Sequence, residues 1–527
     1  MVFAQYDGVV QQPGDLSDGR EQSDASRPPA APGRPDTLAE LIVQRAADTP
    51  DHPFLEDARS ERLHTYGSFA AAVDRWRTVF DDLGIAASGG VLVDVADPLG
   101  FAVVHVAALA SGRRAIPVDT GQPPTEPGRL ADLLQGASLV VSDRDENATI
   151  PGVPHARIDP ATGHPRDVEP GTVPADNPDP LDTGSVVLFT SGSTGTPKGV
   201  ELPEPQLLFV ARNVASHNAL TPADRGFNSL PLFHVNAEVV GVLATLVAGA
   251  TLVLDRRFRR TGFWRLLAER RITWLNAVPA VLAVLAKTGP LTLPPGLRFV
   301  RSASAPLPDP VREALGDTPL VISWGMTEGA SQITATPLGA SPRPGTVGIP
   351  VGSEVQVRGE DGRALPADEV GALWIRGQGI VRRYLFDRAA DRFDADGWLS
   401  TGDLGSISAD GWVRLAGRSD DVINRGGEKV YPSEVEDVIL GDDRVLEAVV
   451  VGRPDQILGH VPIAYVIPQP SDTGIDPGVF VRDIAARCEA SLTRFRRPVE
   501  IIVVADLPRA PTGKVQRARV RAMATTD

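Results

Sequence analysis

Several residue types are scarce in this chain of 527 residues, and each scarcity excludes a class of protein. The only cysteine is Cys488, so internal disulfides and cysteine-based metal sites are excluded, and a reducing compartment is expected. Phe480, Ile484, Cys488 and Leu492 recur at a spacing of four. This spacing predicts that the cysteine is a small core residue on a helix and not a nucleophile.

The chain also has fewer basic than acidic residues and contains no long apolar run. The chain has 52 Lys and Arg against 67 Asp and Glu, which excludes nonspecific binding to nucleic acid or anionic membranes. The longest apolar run, 239–254, is broken by Gly and Thr and is shorter than the ~20 residues of a membrane helix. We therefore predict a buried helix followed by a strand in this run. With no signal-peptide pattern at the N-terminus, we expect a cytoplasmic protein without membrane insertion.

Lysine is the scarcest of the common charged residues. Only four of the 52 basic residues are lysine, and they are Lys198, Lys287, Lys429 and Lys514. Arginine and lysine differ in geometry, hydration and reach, so a retained lysine can mark a place that needs a slender ammonium group. Codon bias is the alternative, and composition alone leaves the choice open.

The sequence pattern divides the chain into a large and a small part. Residues 1–36 are rich in Pro, Ala, Asp, Ser and Gln and predict a disordered leader. Alternating strand and helix patterns over 37–417 predict an α/β domain made of α/β subdomains, with a β-rich subdomain at about 345–415. Charged residues at 418–421 predict a hinge. We expect residues 422–527 to form a small mobile α/β domain.

A Ser/Thr/Gly loop after a short apolar strand is the strongest local motif. It reads Thr190-Ser191-Gly192-Ser193-Thr194-Gly195-Thr196-Pro197-Lys198-Gly199. Glycines permit close backbone approach, hydroxyl and N–H groups can surround phosphate oxygens, and Lys198 adds a positive charge. The spacing differs from that of the common P-loop. A flexible turn is the alternative, which the preceding core strand disfavours.

This loop resembles the phosphate loop of the adenylate-forming superfamily of acyl-CoA synthetases, peptide-synthetase adenylation domains and luciferases. Further segments resemble the other motifs of that superfamily, in its order: Trp324-Gly325-Met326-Thr327-Glu328, Ser400-Thr401-Gly402-Asp403, Gly417-Arg418-Ser419-Asp420-Asp421, Arg425-Gly426-Gly427-Glu428-Lys429 and Pro511-Thr512-Gly513-Lys514. Six motifs in order are far more specific than any one of them. The chain resembles acyl-CoA synthetases, especially oxalate–CoA-ligase-like and 4-coumarate–CoA-ligase-like members.

The resemblance implies ATP, Mg²⁺ and CoA as cofactors. A carboxylic acid would be converted to acyl-AMP with release of pyrophosphate, and then transferred to the thiol of CoA. Glu328 would bind Mg²⁺ and Thr327 the α-phosphate, while Asp403 would accept the ribose hydroxyls. Arg418 would contact the ribose or phosphate. Taken alone, Glu328 could equally be a helix-start carboxylate, Asp403 a turn former and Arg418 an exposed linker residue.

The small domain would serve both half-reactions. The resemblance implies that Lys514 bridges the carboxylate and the α-phosphate, and that the domain then rotates about Asp420 so that Gly426 and Gly427 form the thiol channel. Lys429 aligns with a position near the phosphate and that channel. A surface position is an equally weighted alternative for Lys429.

Two groups of residues complete the implied site. The nucleotide would contact the loop 190–195 together with Ser304, Ala305, Pro306, Trp324, Gly325 and Met326, and the acyl group would contact His234, Ala303, Gly325 and Ala330. The small residues Ala303, Ala305, Gly329 and Ala330 favour a bulky or apolar acid, although small residues also permit tight helix packing. A carrier protein's pantetheine is an alternative acceptor, and a non-catalytic acyl or nucleotide sensor is the alternative from another class.

Overall fold

The computed structural model describes residues 35–120, 137–144, 152–172, 181–191, 197–286, 293–385, 390–469, 476–509 and 515–525. Most of the expected leader, the loop residues 192–196, Lys287 and Lys514 lie outside these ranges. The α-helices of the described part are Leu38–Asp48, Tyr66–Asp82, Pro98–Ala110, Glu204–His217, Ala244–Ala248, Phe263–Glu269, Pro279–Ala286, Asp309–Ala314, Pro432–Leu440, Pro477–Ser491 and Arg517–Met523. A π-helix spans Asn236–Leu243.

Within the same ranges the strands form four sheets. In chain order they are β1 Pro53–Asp57, β2 Leu63–Thr65, β3 Gly90–Asp94, β4 Arg114–Pro117, β5 Ala137–Ser142, β6 His155–Ile158, β7 Pro165–Glu169, β8 Ser185–Ser191, β9 Pro197–Pro203, β10 Arg225–Asn228, β11 Thr251–Leu254, β12 Trp274–Ala277, β13 Phe299–Ala303, β14 Leu320–Trp324, β15 Thr334–Ala335, β16 Ile349–Pro350, β17 Glu354–Arg358, β18 Gly371–Arg376, β19 Leu399–Ile407, β20 Val413–Arg418, β21 Ile423–Arg425, β22 Glu428–Val430, β23 Val445–Asp455, β24 Gly459–Pro468 and β25 Glu500–Val503.

The first large sheet has the order β7-β6-β5-β3-β4-β8-β9. Every residue of β3 and β5 is buried, which is typical of central strands in a largely parallel sheet. The helix Pro98–Ala110 connects β3 to the parallel β4. It begins at Asp97, whose carboxylate accepts a hydrogen bond from the backbone N–H of Gly100.

The second large sheet has the order β16-β15-β14-β13-β12-β10-β11-β1-β2. Its strands β14, β13, β12, β10, β11 and β1 are parallel. The carboxyl ends of parallel strands lie at one edge of a sheet, where ligands of open α/β sheets bind. The segments that follow β10, β12, β13 and β14 therefore meet there.

The remaining sheets lie later in the chain. Strands β17 to β20 form an antiparallel sheet, and β21 to β25 form the last sheet, which the helices Pro432–Leu440 and Pro477–Ser491 cover. The apolar core of the last sheet contains Cys488, as the helical spacing predicted, and shares no residue with the core of the earlier sheets. The expected α/β class, with a large N-terminal and a smaller C-terminal domain, is confirmed.

The apolar run 239–254 also has the predicted arrangement. Residues 239–243 of the run are the last residues of the π-helix, and the helix Ala244–Ala248 follows directly. After Gly249, at φ 70°, the run enters β11. In the described part of the chain, no helix is long and apolar enough to cross a membrane.

Close packing in the nine-stranded sheet yields a first prediction. A Cβ atom on Gly226 would lie 2.4 Å from the ring of Trp274, which is fully buried and stacked on Phe299. Because this ring cannot yield, Gly226→Ala should destabilise the protein by about 1–3 kcal/mol. Thermal unfolding measures the change. Gly296→Ala is the control, since no atom lies within 4 Å of its new Cβ, and an equal fall in both variants would contradict the packing argument.

Candidate active site

Strained backbone marks the carboxyl edge of β13 and β14. Ser304, Ala330 and Ser331 have φ values of 77°, 48° and 91°, in the left-handed region that side chains disfavour. Such strain persists only where the surrounding structure imposes it, and it clusters at functional sites. Ala303 and Ala330 are buried, whereas Ser304, Ala305 and Pro306 are exposed at the mouth of this edge.

A tight turn after β14 depends on Gly325. A Cβ atom at this position would lie 1.4 Å from the carbonyl oxygen of Ser331, so only glycine fits. The chain folds back through hydrogen bonds from the N–H of Ser331 to the carbonyl of Met326 and from the N–H of Ile333 to that of Trp324, at 3.2 and 3.0 Å. The turn thereby places Thr327 and Glu328 at the edge of the sheet.

Glu328 is held in one orientation by two donors. Its Oε1 accepts hydrogen bonds from the hydroxyl of Tyr384 at 2.7 Å and from Arg392 at 2.9 Å. Arg392 also donates to the carbonyl of Ser400, at 2.9 and 2.6 Å. Burial, and then the neighbouring carboxylate, raise the pKa of Tyr384, so its hydroxyl remains a donor.

The second oxygen of this carboxylate is open to a ligand. No described residue donates to Oε2 of Glu328, while the backbone carbonyl of the same residue is held by the N–H of Val381 at 2.9 Å. A buried carboxylate with one anchored and one open oxygen fits a hard cation such as Mg²⁺.

Asp403 joins three of the residues selected from sequence. Its Oδ2 accepts a hydrogen bond from Trp324 Nε1 and its Oδ1 one from Arg418, both at 3.0 Å. Gly402, at φ 75° within β19, lies beside the Arg418 guanidinium. The structure thus brings Trp324, Asp403 and Arg418 together into one cluster, in which the two donors orient a carboxylate suited to a pair of hydroxyls.

The hinge residues begin directly beside this cluster. Ser419–Asp421 form a single 3₁₀ turn, and Ser419 Oγ donates to the carbonyl of Gly402 at 3.1 Å. Asp420 is exposed, and its carbonyl accepts a hydrogen bond from Arg521 at 3.2 Å.

The residues expected to form the thiol channel lie in and beside the turn between β21 and β22. Gly426 and Gly427 form the turn between β21 and β22, at φ 62° and 94°. Lys429 forms an ion pair with Glu360, and both side chains are exposed. Among the described residues, Lys429 therefore bonds to a loop of the four-stranded sheet and not to the Glu328 or Asp403 groups.

The phosphate loop is described only at its base. The backbones of Thr190 and Lys198 pair across the antiparallel strands β8 and β9. The predictions for Gly192, Ser193, Thr194, Gly195 and Lys514 fall outside the described residues.

His234, which is expected to contact the acyl group, directly precedes the π-helix region. Its backbone carbonyl accepts hydrogen bonds from the N–H groups of Ala237 and Glu238, at the start of the π-helix. The centroid of its ring lies 4.5 Å from that of Phe233. Burial lowers the pKa of His234, so the imidazole is neutral at physiological pH.

Sequence reasoning missed the residues that orient Glu328. Arg392 is 64 positions away from it and Tyr384 is 56 positions away. No periodicity or spacing connects residues so far apart. The only available signal was Tyr384 itself, which ends a stretch similar to the family pattern except that Arg383 replaces a common glycine.

Comparison with known proteins decides the family. The model of AMP-binding enzymes matches residues 42–385, and the model of their C-terminal domain matches residues 434–514. The chain belongs to the AMP-binding enzyme family. It is an AMP-forming acid–thiol ligase of the acyl-CoA synthetase branch, which uses ATP, Mg²⁺ and CoA.

Curated relatives of the ligase carry several CoA-ligase names. It is 34% identical to a sulfoacetate–CoA ligase of Cupriavidus necator, over 92% of this chain and 97% of that one. It is 35% identical to an oxalate–CoA ligase of Arabidopsis thaliana, over 64% and 66% of the two chains. A long-chain-fatty-acid–CoA ligase of Mycobacterium tuberculosis is 29% identical, over 91% and 97%.

Solved structures agree with this assignment. ATP-bound MatB from Rhodopseudomonas palustris superimposes with a TM-score of 0.81 at 26% identity, over 92% of this ligase and 98% of that chain. The o-succinylbenzoate CoA synthetase of Bacillus subtilis, in complex with ATP and magnesium, gives 0.76 at 26% identity, over 91% and 98%.

The Asp403 cluster yields a second prediction. Trp324→Phe keeps the ring but removes the N–H that orients Asp403, so the KM for ATP should rise roughly tenfold, as expected for a lost hydrogen bond to a charged group. Steady-state kinetics of pyrophosphate release measure it. Trp412→Phe is the matched control, because this ring stacks under Arg343 and makes no contact with Asp403. An unchanged KM in Trp324→Phe would contradict the assignment.

Proposed function

We propose that this ligase forms an acyl-AMP from a carboxylic acid and ATP, transfers the acyl group to CoA and rotates its C-terminal domain between the two steps. The observation that carries the proposal is the pair of anchored carboxylates, Glu328 and Asp403, at the carboxyl edge of the parallel sheet. Each is oriented by two donors and keeps acceptor capacity for a ligand. One suits a metal ion and the other the hydroxyls of a ribose.

The chemistry has two balanced steps. A carboxylate oxygen of the acid attacks the α-phosphorus of ATP, and the bond to the β-phosphate oxygen breaks, so that pyrophosphate leaves. The thiolate of CoA then attacks the acyl carbon, and AMP leaves. Mg²⁺ bound to the open oxygen of Glu328 would offset phosphate charge, while Thr327, Lys198 and Lys514 would supply donors to the reacting anions.

The contacts of the hinge support a rotation about Asp420. On one side, Arg418 and Ser419 are bonded to Asp403 and Gly402 of the large domain. On the other side, Asp421 is bonded to Arg521 of the last described helix, at 2.8 Å. Asp420 lies between these anchors, and its carboxylate forms no ion pair with a described residue. A residue between two anchored segments can absorb a change in φ and ψ.

The acceptor and the acid are separate questions. A carrier-protein pantetheine is the alternative acceptor, and a non-catalytic acyl or nucleotide sensor is the alternative function. Pyrophosphate release should occur with at least one acid of a broad panel, and the product should then form with CoA as acceptor. Release without CoA transfer, but with loading of a carrier protein, would favour the alternative acceptor. No release with any acid would favour the sensor.

The panel also tests the size of the acid. Ala303, Ala305, Gly329 and Ala330 favour a bulky or apolar acid, and the relatives' names cover sulfoacetate, oxalate, 2-succinylbenzoate and long-chain fatty acids.

The buried single cysteine supports the proposal of a reducing, cytoplasmic location.

Replacing Lys514 separates the half-reactions. Lys514→Ala should lower acyl-AMP formation at least a hundredfold, because a charged donor to the transition state is lost, and should spare thioester formation from preformed acyl-AMP. Rapid-quench assays of each half-reaction measure this split. Lys429→Ala is the control for a lysine outside the adenylation step. Equal loss of both half-reactions in Lys514→Ala would argue against the role.

The hinge is tested in the opposite direction. Asp420→Pro should leave pyrophosphate release nearly unchanged and suppress CoA transfer at least tenfold, because proline restricts φ at the pivot. Asp420→Ala, which keeps backbone freedom, should transfer normally. Normal CoA transfer in Asp420→Pro would contradict the proposed rotation of the C-terminal domain about Asp420.

A further inference from the structure

Arg301 is a buried cation that no carboxylate of the described residues neutralises. It lies on β13, is fully buried, and forms no ion pair with an Asp or Glu among the described residues. Burial lowers the pKa of Arg301 to about 9, so the guanidinium is charged at neutral pH. A buried charge without a counter-ion is destabilising unless its surroundings or a ligand offset it.

Four neutral oxygens surround the Arg301 guanidinium. They are Asn236 Oδ1 at 3.0 Å, Asn276 Oδ1 at 3.2 Å, Ser323 Oγ at 3.0 Å and Gln332 Oε1 at 3.4 Å. Arginine has donors only, so each amide must turn its oxygen towards it. This requirement settles which way the amides of Asn236 and Gln332 face, and it directs their NH₂ groups away from Arg301.

These outward NH₂ groups have no partner in the described structure. Asn236 Nδ2 and Gln332 Nε2 donate no hydrogen bond to a described residue, although the two residues are only 8% and 2% exposed. The hydroxyl of Ser302, on a residue 1% exposed, is also unpartnered. Asn276 differs, because its NH₂ donates to Asn228 Oδ1 at 3.2 Å. Buried donors without acceptors are rare, and each is destabilising by about 1–3 kcal/mol.

The unpartnered donors flank the residues expected at the acyl group. Asn236 follows His234 by two positions, and Gln332 follows Ala330 by two. Arg301 and Ala303 lie on the same face of β13, because side chains of a strand alternate between its faces. The hydrogen bonds of Arg301 thus tie together the three segments that would line the acyl pocket.

We propose that the acid activated by this ligase carries a second anionic group, such as a sulfonate or a second carboxylate, that accepts hydrogen bonds from the outward amides of Asn236 and Gln332. The inference rests on the proposed function and names the substrate class of the same site. An anion satisfies both donors and offsets the charge of Arg301. An apolar acyl chain would leave the two amide donors without acceptors and the guanidinium without a counter-ion. The proposal of a second anionic group therefore replaces the expectation of an apolar acid that came from the small residues.

The wild-type ligase provides the first test, with acids matched in shape. Sulfoacetate is compared with methylsulfonylacetate, and succinate with succinamate, in which a neutral group replaces the second charge. The kcat/KM for pyrophosphate release should be at least tenfold higher for the dianion in at least one pair. Release that favours the neutral partner in both pairs, or that is confined to monoanionic acids of the wider panel, overturns the inference alone. No release with any acid overturns the proposed function as well.

Variants locate the second anionic group. Gln332→Met and Asn236→Leu remove the outward donors with little change in volume, and each should lower kcat/KM at least tenfold for the preferred dianion but less than threefold for its neutral partner. Asn276→Leu is the matched control, since it also loses a bond to Arg301 but no unpartnered donor, and it should affect both acids equally.

An equal loss on both acids in Gln332→Met and Asn236→Leu would show a structural role and overturn the assignment of these donors. Thermal unfolding establishes that each variant is folded. If a variant does not fold, the acid pairs on the wild-type ligase still decide the substrate class.

Discussion

The parallel pairing of β10, β12, β13 and β14 is the constraint on which the site depends. Parallel strands present their carboxyl ends at one edge, so the segments after them converge although they are far apart in sequence. The turn at Gly325, the strained backbone at Ser304 and the π-helix after His234 all belong to that edge. Without this register, the donors that orient Glu328 and Asp403 would have no fixed target.

Charge in this protein is organised locally. The acidic excess of the whole chain contrasts with a site in which arginines hold each functional carboxylate: Arg392 at Glu328 and Arg418 at Asp403. Arg301 is different, because its acceptors are neutral and it retains its charge inside the fold. A planar guanidinium presents its donors in a fixed fork, which fixes the direction of each amide bonded to it, whereas an ammonium group is a compact charge with rotatable donors.

The lysine question receives a partial answer. Lys429 is bonded to Glu360, and the backbone of Lys198 belongs to β9 at the base of the phosphate loop. Lys287 and Lys514 lie outside the described residues. Lysine is scarce in this chain, and three of its four lysines lie in family motifs. The role of each lysine stays a prediction.

Much of the secondary structure followed from local pattern. The helix around Cys488, the helix and strand of the run 239–254 and the buried strand before the phosphate loop were predicted, because hydrophobic periodicity reports local conformation. The motif order also selected Trp324, Glu328 and Asp403. Contacts between distant positions were not accessible in this way, since periodicity carries no information on which elements become neighbours.

By itself, the sequence determined the α/β class, the family and the residue types that can bind a nucleotide, because these depend on local pattern and on motifs. Only the tertiary structure decided which groups orient those residues: Arg392 and Tyr384 at Glu328, and Arg418 with Trp324 at Asp403. It alone also showed that Arg301 is buried without a counter-ion among the described residues and turns the NH₂ groups of two amides away from itself. Burial and hydrogen-bond direction arise when strands from separate parts of the chain pack side by side, and no one-dimensional pattern contains them.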